Sequence, residues 1–275
     1  MTGPEVAPPG VDMNAPSVAR VYDFFLGGKD NFAVDRAVAE HAIRITPDGP
    51  QAAQANRAFL RRVVRFLAAE QGVNQFLDLG SGLPTQGNVH QVAMRHDPQA
   101  RVVYVDNDPI VLAHGRALLA GDGATTVVQA DIRSPEAILQ HPQVRQVLDF
   151  DRPIGLLLFA ILHHLSDDED PKGVAAKLIE ALPSGSYVAI SHFRDPGERH
   201  PEASRKAHEV ERVFNESLGT GRWRTDEEIL SFVEGLEVLE PGLVPLPEWR
   251  PEPDETTVDQ SDTYHTFIAL VARKP

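Results

Sequence analysis

The stretch Phe76-Leu77-Asp78-Leu79-Gly80-Ser81-Gly82-Leu83-Pro84 constrains this chain more than any other. An apolar strand ends in an acid, two glycines follow in close succession, and an amphipathic segment comes next. A backbone that turns this tightly at a helix start can approach a negatively polarised or ribose-bearing ligand. The same spacing also fits a plain strand-to-helix turn. The rest of the chain has to discriminate between the two.

Bulk properties remove several classes. The chain has no cysteine, which excludes disulfide frameworks, thiolate zinc sites and cysteine nucleophiles. Its net charge of -14 argues against a nucleic-acid partner, which calls for a basic surface. The longest apolar run, Ile154 to Leu162, is nine residues and too short to span a bilayer. No basic region followed by an apolar one opens the chain, so a cytoplasmic protein with no membrane partner is expected. A length of 275 residues suits one α/β domain with additions.

Periodicity divides the chain into three. Residues 1–15 lack any pattern and read as a loose tail. Residues 16–72 read as a helical cap: Val18 to about Arg36 starts with helical spacing and breaks at Gly27-Gly28, and Ala52–Glu70 is an amphipathic helix. Residues 73–275 alternate between strands and helices. Strands are expected at Gln75–Leu79, Val102–Val105, Thr126–Gln129, Ile154–Phe159 and Tyr187–Ser191. Helical windows lie at Gly87–Met94, Pro109–Leu119, Glu136–Gln140 and Val174–Ala181. This alternation predicts a doubly wound parallel sheet. Helices at Glu202–Leu218 and Asp226–Glu234 precede strands near Leu236–Glu240 and Thr266–Ala272. Those last strands suit an antiparallel hairpin at one edge, with an acidic connection from Pro245 to Asp262.

Three more strand ends carry chemistry. Asp106, 26 residues beyond Gly80, is placed to accept hydrogen bonds from both hydroxyls of a ribose. Asp131 ends the third strand and offers a carboxylate to an exocyclic amine. The fourth strand runs through Phe159-Ala160 into His163-His164. All fall at carboxyl ends of strands, where open α/β sheets hold ligands.

This set resembles the class I S-adenosylmethionine-dependent methyltransferases over roughly residues 60 to 275. The N-terminal string Ala19-Arg20-Val21-Tyr22-Asp23-Phe24-Phe25-Leu26-Gly27-Gly28-Lys29-Asp30-Asn31-Phe32, with Asp78 to Pro84, is similar to a group of actinobacterial methyltransferase-like proteins with no assigned substrate. The resemblance implies a seven-stranded Rossmann-like sheet in the order 3-2-1-4-5-7-6, a helical cap, and S-adenosyl-L-methionine as cofactor. By position it implies that Asp78, Gly80, Ser81 and Gly82 surround the methionine end. It likewise implies Asp106 on the ribose, Asn107, Asp131 and Ile132 near the adenine, and Phe159 and Ala160 flanking the cofactor. Two departures stand out. Pro84 replaces a common third glycine, and Arg152-Pro153-Ile154-Gly155 lacks the usual acid early in the fourth strand.

The segment from Tyr22 to Phe32 admits two readings. It is either a helix cap and turn, or a lid in which Tyr22, Phe25, Gly28 and Asn31 close over the cofactor. His163 and His164 are the candidates for a catalytic base. With Asp167 and Asp168 they raise the possibility of a metal, but adjacent histidines diverge and carboxylates there serve as helix caps, so no metal is expected. The expected reaction is methyl transfer to oxygen, nitrogen or carbon of a small-molecule acceptor, with oligomeric state open. A non-catalytic sensor of S-adenosylmethionine and an NAD-dependent oxidoreductase are the alternatives.

Overall fold

The computed structural model describes residues 10–84, 87–118, 123–252 and 261–275. Most of the expected tail, the last residue of the helical window Pro109–Leu119 and the middle of the acidic connection lie outside them. The strands are β1 (Gln75–Leu79), β2 (Arg101–Asp106), β3 (Thr125–Gln129), β4 (Gly155–Phe159), β5 (Tyr187–Phe193), β6 (Glu237–Val238), β7 (Val244–Pro245) and β8 (Phe267–Arg273). They form one sheet in the order β3-β2-β1-β4-β5-β8-β6, with β7 also paired to β8. The first five are parallel, and β8 runs antiparallel to β5, β6 and β7. The order is the one the resemblance implied, with β7 as an eighth strand. That strand is two residues long and ends in Pro245, which has no N–H to extend a ladder.

The helices are α1 (Val18–Phe25), α2 (Ala33–Ile45), α3 (Gly49–Arg65), α4 (Val89–Ala93), α5 (Pro109–Leu118), α6 (Pro135–Leu139), α7 (Pro142–Val147), α8 (Pro171–Glu180), α9 (Pro201–Leu218), α10 (Asp226–Leu230) and α11 (Asp262–Thr266). The expected helix Ala52–Glu70 starts earlier, at Gly49, and closes in one π turn over Phe66–Glu70. Three helices were not marked by the periodicity: α2, α7 and α11. The last two hold only 6 and 5 residues, too few for a 3.6-residue period to show.

Alternate strand residues feed two cores, as a pleated sheet covered on both faces requires. Leu77, Leu79, Val103, Val105, Leu156 and Leu158 pack on one face with Ile138, Val144, Val174, Leu178 and Ile229. Phe76, Val102, Leu157 and Ala189 pack on the other with Phe59, Val63 and Trp249. Asp78 shares the parity of Phe76, so its carboxylate is directed to the α3 side. A third cluster joins Val21, Val38 and Ala42 of α1 and α2 to Ala207, Val210 and Phe214 of α9 and to Trp223. The cap therefore sits over the carboxyl ends of the strands.

Two contacts pin the cap to the C-terminal part of the chain. Arg62 is 3% exposed and donates to the carbonyls of Trp249 (2.9 Å) and Leu246 (2.7 Å). Asp48 accepts from the N–H of Thr263 (3.0 Å). Replacing Arg62 by Met keeps its volume but strips both buried carbonyls of a donor. The expected loss is about 2–4 kcal/mol of stability, read as a lower urea midpoint at unchanged m-value.

Candidate active site

The glycine turn is fixed by bonds between neighbouring strand ends. The N–H groups of Gly80 and Ser81 donate to the Val105 carbonyl (2.8 and 3.2 Å), and the Gly82 N–H donates to Asp106 Oδ2 (2.8 Å). Gly80 and Gly82 have φ of +71° and +65°, which disfavours any residue with a side chain. A Cβ on Gly80 would lie 2.6 Å from Ile161 Cδ1 in the loop after β4, whereas one on Gly82 would meet nothing within 4 Å. Gly80 thus lets the two loops touch. Gly82 leaves open space at the turn. Ala160, with φ +51°, is a strained non-glycine residue at the β4 tip, and its N–H bonds both the carbonyl and the hydroxyl of Ser191.

A cavity of about 430 Å³ opens beside this turn. Asp78, Gly80, Ser81, Gly82, Asp106, Asn107, Ile132, Phe159, Ala160, Tyr22, Phe25, His163 and His164 all line it. Three residues expected in the site do not. Asp131 turns to Arg133, accepting from its N–H (2.9 Å) and its guanidinium (3.0 Å), so its carboxyl lies below the usual range although burial opposes this. Asn31 is buried and donates to Asp23 Oδ2 (2.8 Å) and to the Gly28 carbonyl (3.1 Å). Gly28 packs so closely on Asp23 that a Cβ would sit 2.0 Å from its Oδ1. Gly28, Asn31 and Asp23 form the knot that ends α1, and burial raises the Asp23 carboxyl.

The cavity also gathers residues that the sequence reading did not single out. Asn56 and Arg57 on α3 line it, with Trp223, Phe193 and Phe214 further along. Asn56 Nδ2 donates to Tyr22 Oη (3.0 Å), which in turn donates to the Ala53 carbonyl (3.2 Å). Asn56 Oδ1 and Arg57 Nε are buried with no partner among the described residues. Helical position gave no signal for them, because a polar residue on α3 reads as solvent-facing until the cap is folded over the sheet.

Two carboxyls here carry shifted affinities for protons. Burial pushes Asp78 up to about 7, with Arg57 opposing and Asp106 adding to the shift. Burial also pushes Asp106 up to about 6, against the N–H bonds from Asp108 and Gly82. Two acids with altered titration beside an arginine in one cleft mark a ligand site. Burial holds His163 well below its usual value, helped by the fields of His164, His192 and Arg224, and lowers His164 to about 4. His163 Nδ1 accepts the Phe193 N–H (3.2 Å), which assigns its proton to Nε2. The lone pair of this neutral ring is already engaged. Asp167 is held by Arg224 (2.8 Å) and Arg222 (3.3 Å).

A family model described as S-adenosyl methyltransferase matches residues 4–275. The chain belongs to that family. A crystal structure from Thermobifida fusca, whose methyltransferase assignment is itself provisional, shares 47% identity over 97% of this chain and 98% of its own, with a TM-score of 0.90. A DUF574 family protein from Streptomyces avermitilis shares 38% over 96% and 99%, at 0.88. The N-methyltransferase NodS of Bradyrhizobium japonicum, solved with S-adenosyl-L-homocysteine, shares 14% over 93% and 99%, at 0.52, and at that identity speaks for the fold alone. No curated protein matches.

The donor of the family is S-adenosylmethionine, and the site fits it. The open space at Gly82 and the unpaired Asn56 Oδ1 and Arg57 Nε are features that a polar ligand would use. No helix among the described residues is long and apolar enough to cross a membrane.

The raised acid at position 78 has a testable sign. Its folded value lies above the unfolded one, so the folded state binds the extra proton and stability is lost as pH rises from about 4 through 7. Asp78→Asn removes that dependence. The difference in Tm between variant and wild type, measured without ligand, should grow by about 5 °C from pH 5 to pH 8.

Proposed function

We propose that the protein transfers a methyl group from S-adenosylmethionine to an oxygen, nitrogen or carbon of a small-molecule acceptor. The observation that carries this reading is the single cavity lined by the Gly80–Gly82 turn, by Asp78 and Asp106, and by a less polar chamber beyond them. Bound S-adenosylmethionine supplies a methyl group already activated by its sulfonium. The chain positions the reactants and excludes water.

Roles follow from placement. Asp106 takes the ribose hydroxyls, keeping one oxygen for Gly82 and offering its remaining lone pairs. Asn107 and Ile132 border the adenine. Asp78, Asn56 and Arg57 take the amino-acid end, where an ammonium and a carboxylate need opposite partners. Tyr22 and Phe25 cover the site from α1, and aromatic faces attract a sulfonium by roughly 0.5–2 kcal/mol. Gly28 and Asn31 support this lid through Asp23 rather than by contact. His163 orients the wall, because accepting a proton would cost it the bond to Phe193. His164 stays neutral across the physiological range, so neither histidine is expected to add a pH dependence between 6 and 9, a range in which Asp78 titrates. The acidic surface favours a small metabolite over nucleic acid as acceptor.

Calorimetry with S-adenosylhomocysteine tests the reading. Wild type should bind, Asp106→Ala should lose about 10–100-fold in affinity, and Tyr22→Ala should lose less. Stabilisation by NAD and none by S-adenosylhomocysteine would overturn it in favour of a dehydrogenase.

A further inference from the structure

The wall of the cavity changes character along its length. Its charged residues, Arg57, Asp78, Asp106, Asp108 and Arg133, stand on α3 or at and just beyond the carboxyl ends of β1, β2 and β3. The far arm lies between the cap and α9 and is formed by Phe25, Ala42, Ala207, Val210, Phe214 and Trp223. Among the described residues it contributes no charged side chain. Its side-chain polar groups are the Trp223 indole N–H, two neutral imidazoles, of which His163 keeps a proton on Nε2, and four threonines, three of whose hydroxyls have spent their protons. Thr46 donates to the Ala42 carbonyl (3.1 Å), Thr220 to the His164 carbonyl (2.5 Å) and Thr263 to Asp48. Those hydroxyls can only accept.

The aromatic part of this arm is rigid. Phe193 is stacked between His163 (3.7 Å, 11°) and Trp223 (4.3 Å, 13°), so both its faces are covered and its edge faces the cavity. Ring edges carry partial positive charge and pack on the face of another aromatic ring. An ionised group placed here would lose its hydration, and among the described residues no charged side chain lines the arm to replace it. The volume sets a limit as well. About 430 Å³ lies near the lower end of what one drug-sized ligand fills, so beside a bound donor only a small acceptor can be held.

We infer that the acceptor is a small, uncharged aromatic molecule that presents one O–H or N–H to the threonine oxygens of the far arm. This rests on the methyl-transfer reading, since it is the donor that fills the charged arm. An acceptor with a carboxylate, phosphate or ammonium group is selected against by what the wall lacks. Selectivity of this kind comes from unfavourable burial of the wrong ligand more than from attraction to the right one.

The test uses binding. Protein saturated with S-adenosylhomocysteine is titrated at pH 7.5 with 2-naphthol, 2-naphthylamine and 3-hydroxy-2-naphthoate. The two neutral probes should bind at least tenfold tighter than the carboxylate, and the ratio between them tells O–H from N–H recognition. Val210→Lys should weaken both neutral probes about tenfold and narrow or invert the gap, with S-adenosylhomocysteine affinity showing that the fold persists. If that variant does not fold, Phe214→Leu should weaken 2-naphthol by threefold or more with little effect on the carboxylate. Equal affinities, a preference for the carboxylate, or no binding of neutral probes to protein that holds S-adenosylhomocysteine would overturn the inference and leave the donor reading standing. Failure to bind S-adenosylhomocysteine would overturn both.

Discussion

The hydrogen bonds from Gly80 and Ser81 to Val105, and from Gly82 to Asp106, organise everything above the sheet. They tie the end of β1 to the end of β2 one residue past the ladder, where parallel strands would otherwise splay. Because β1 lies between β2 and β4, the same turn also meets the loop after β4, through Gly80 and Ile161. Three strand ends are thereby held at one spot. The chemistry is concentrated there because parallel strands all present the same end.

Such convergence has an energetic cost, visible in Asp78 and Asp106. Both are buried enough to raise their affinity for protons, and they lie close enough to repel each other. A fold optimised only for stability would place apolar side chains at these points. Keeping two acids and an arginine there makes sense for a site that gains its missing partners from a polar ligand. The far arm shows the opposite economy, with stacked rings and hydroxyls whose protons are already placed.

Much of this was legible in the sequence, for reasons that differ by element. Apolar five-residue runs bounded by turns gave the parallel strands, and residues at their ends fell in the site because topology puts them there. Asp131 shows what position alone leaves undecided. It stands at a strand end, but Arg133 two residues on is its partner here, and only side-chain geometry reveals that pairing. Gly28 and Asn31 belong to a string distinctive enough to mark the family, yet they serve the internal bonding of Asp23. Asn56 and Arg57 went unnoticed because their place in the cavity wall depends on where α3 lies across the sheet, a tertiary fact with no local pattern. The division of the cavity into charged and uncharged arms was equally hidden, since residues from 25 to 266 build the far arm together.

The two anchors of the cap, Arg62 on Leu246 and Trp249 and Asp48 on Thr263, have a consequence for how the chain matures. During synthesis the first helices emerge long before the segments that lock them. The sheet can begin to assemble strand by strand and α1 and α2 can pack on α9, but these two anchors form only after residues 246–263 have emerged. A truncated product would therefore keep most of the sheet's hydrophobic pattern and lack a closed ligand site.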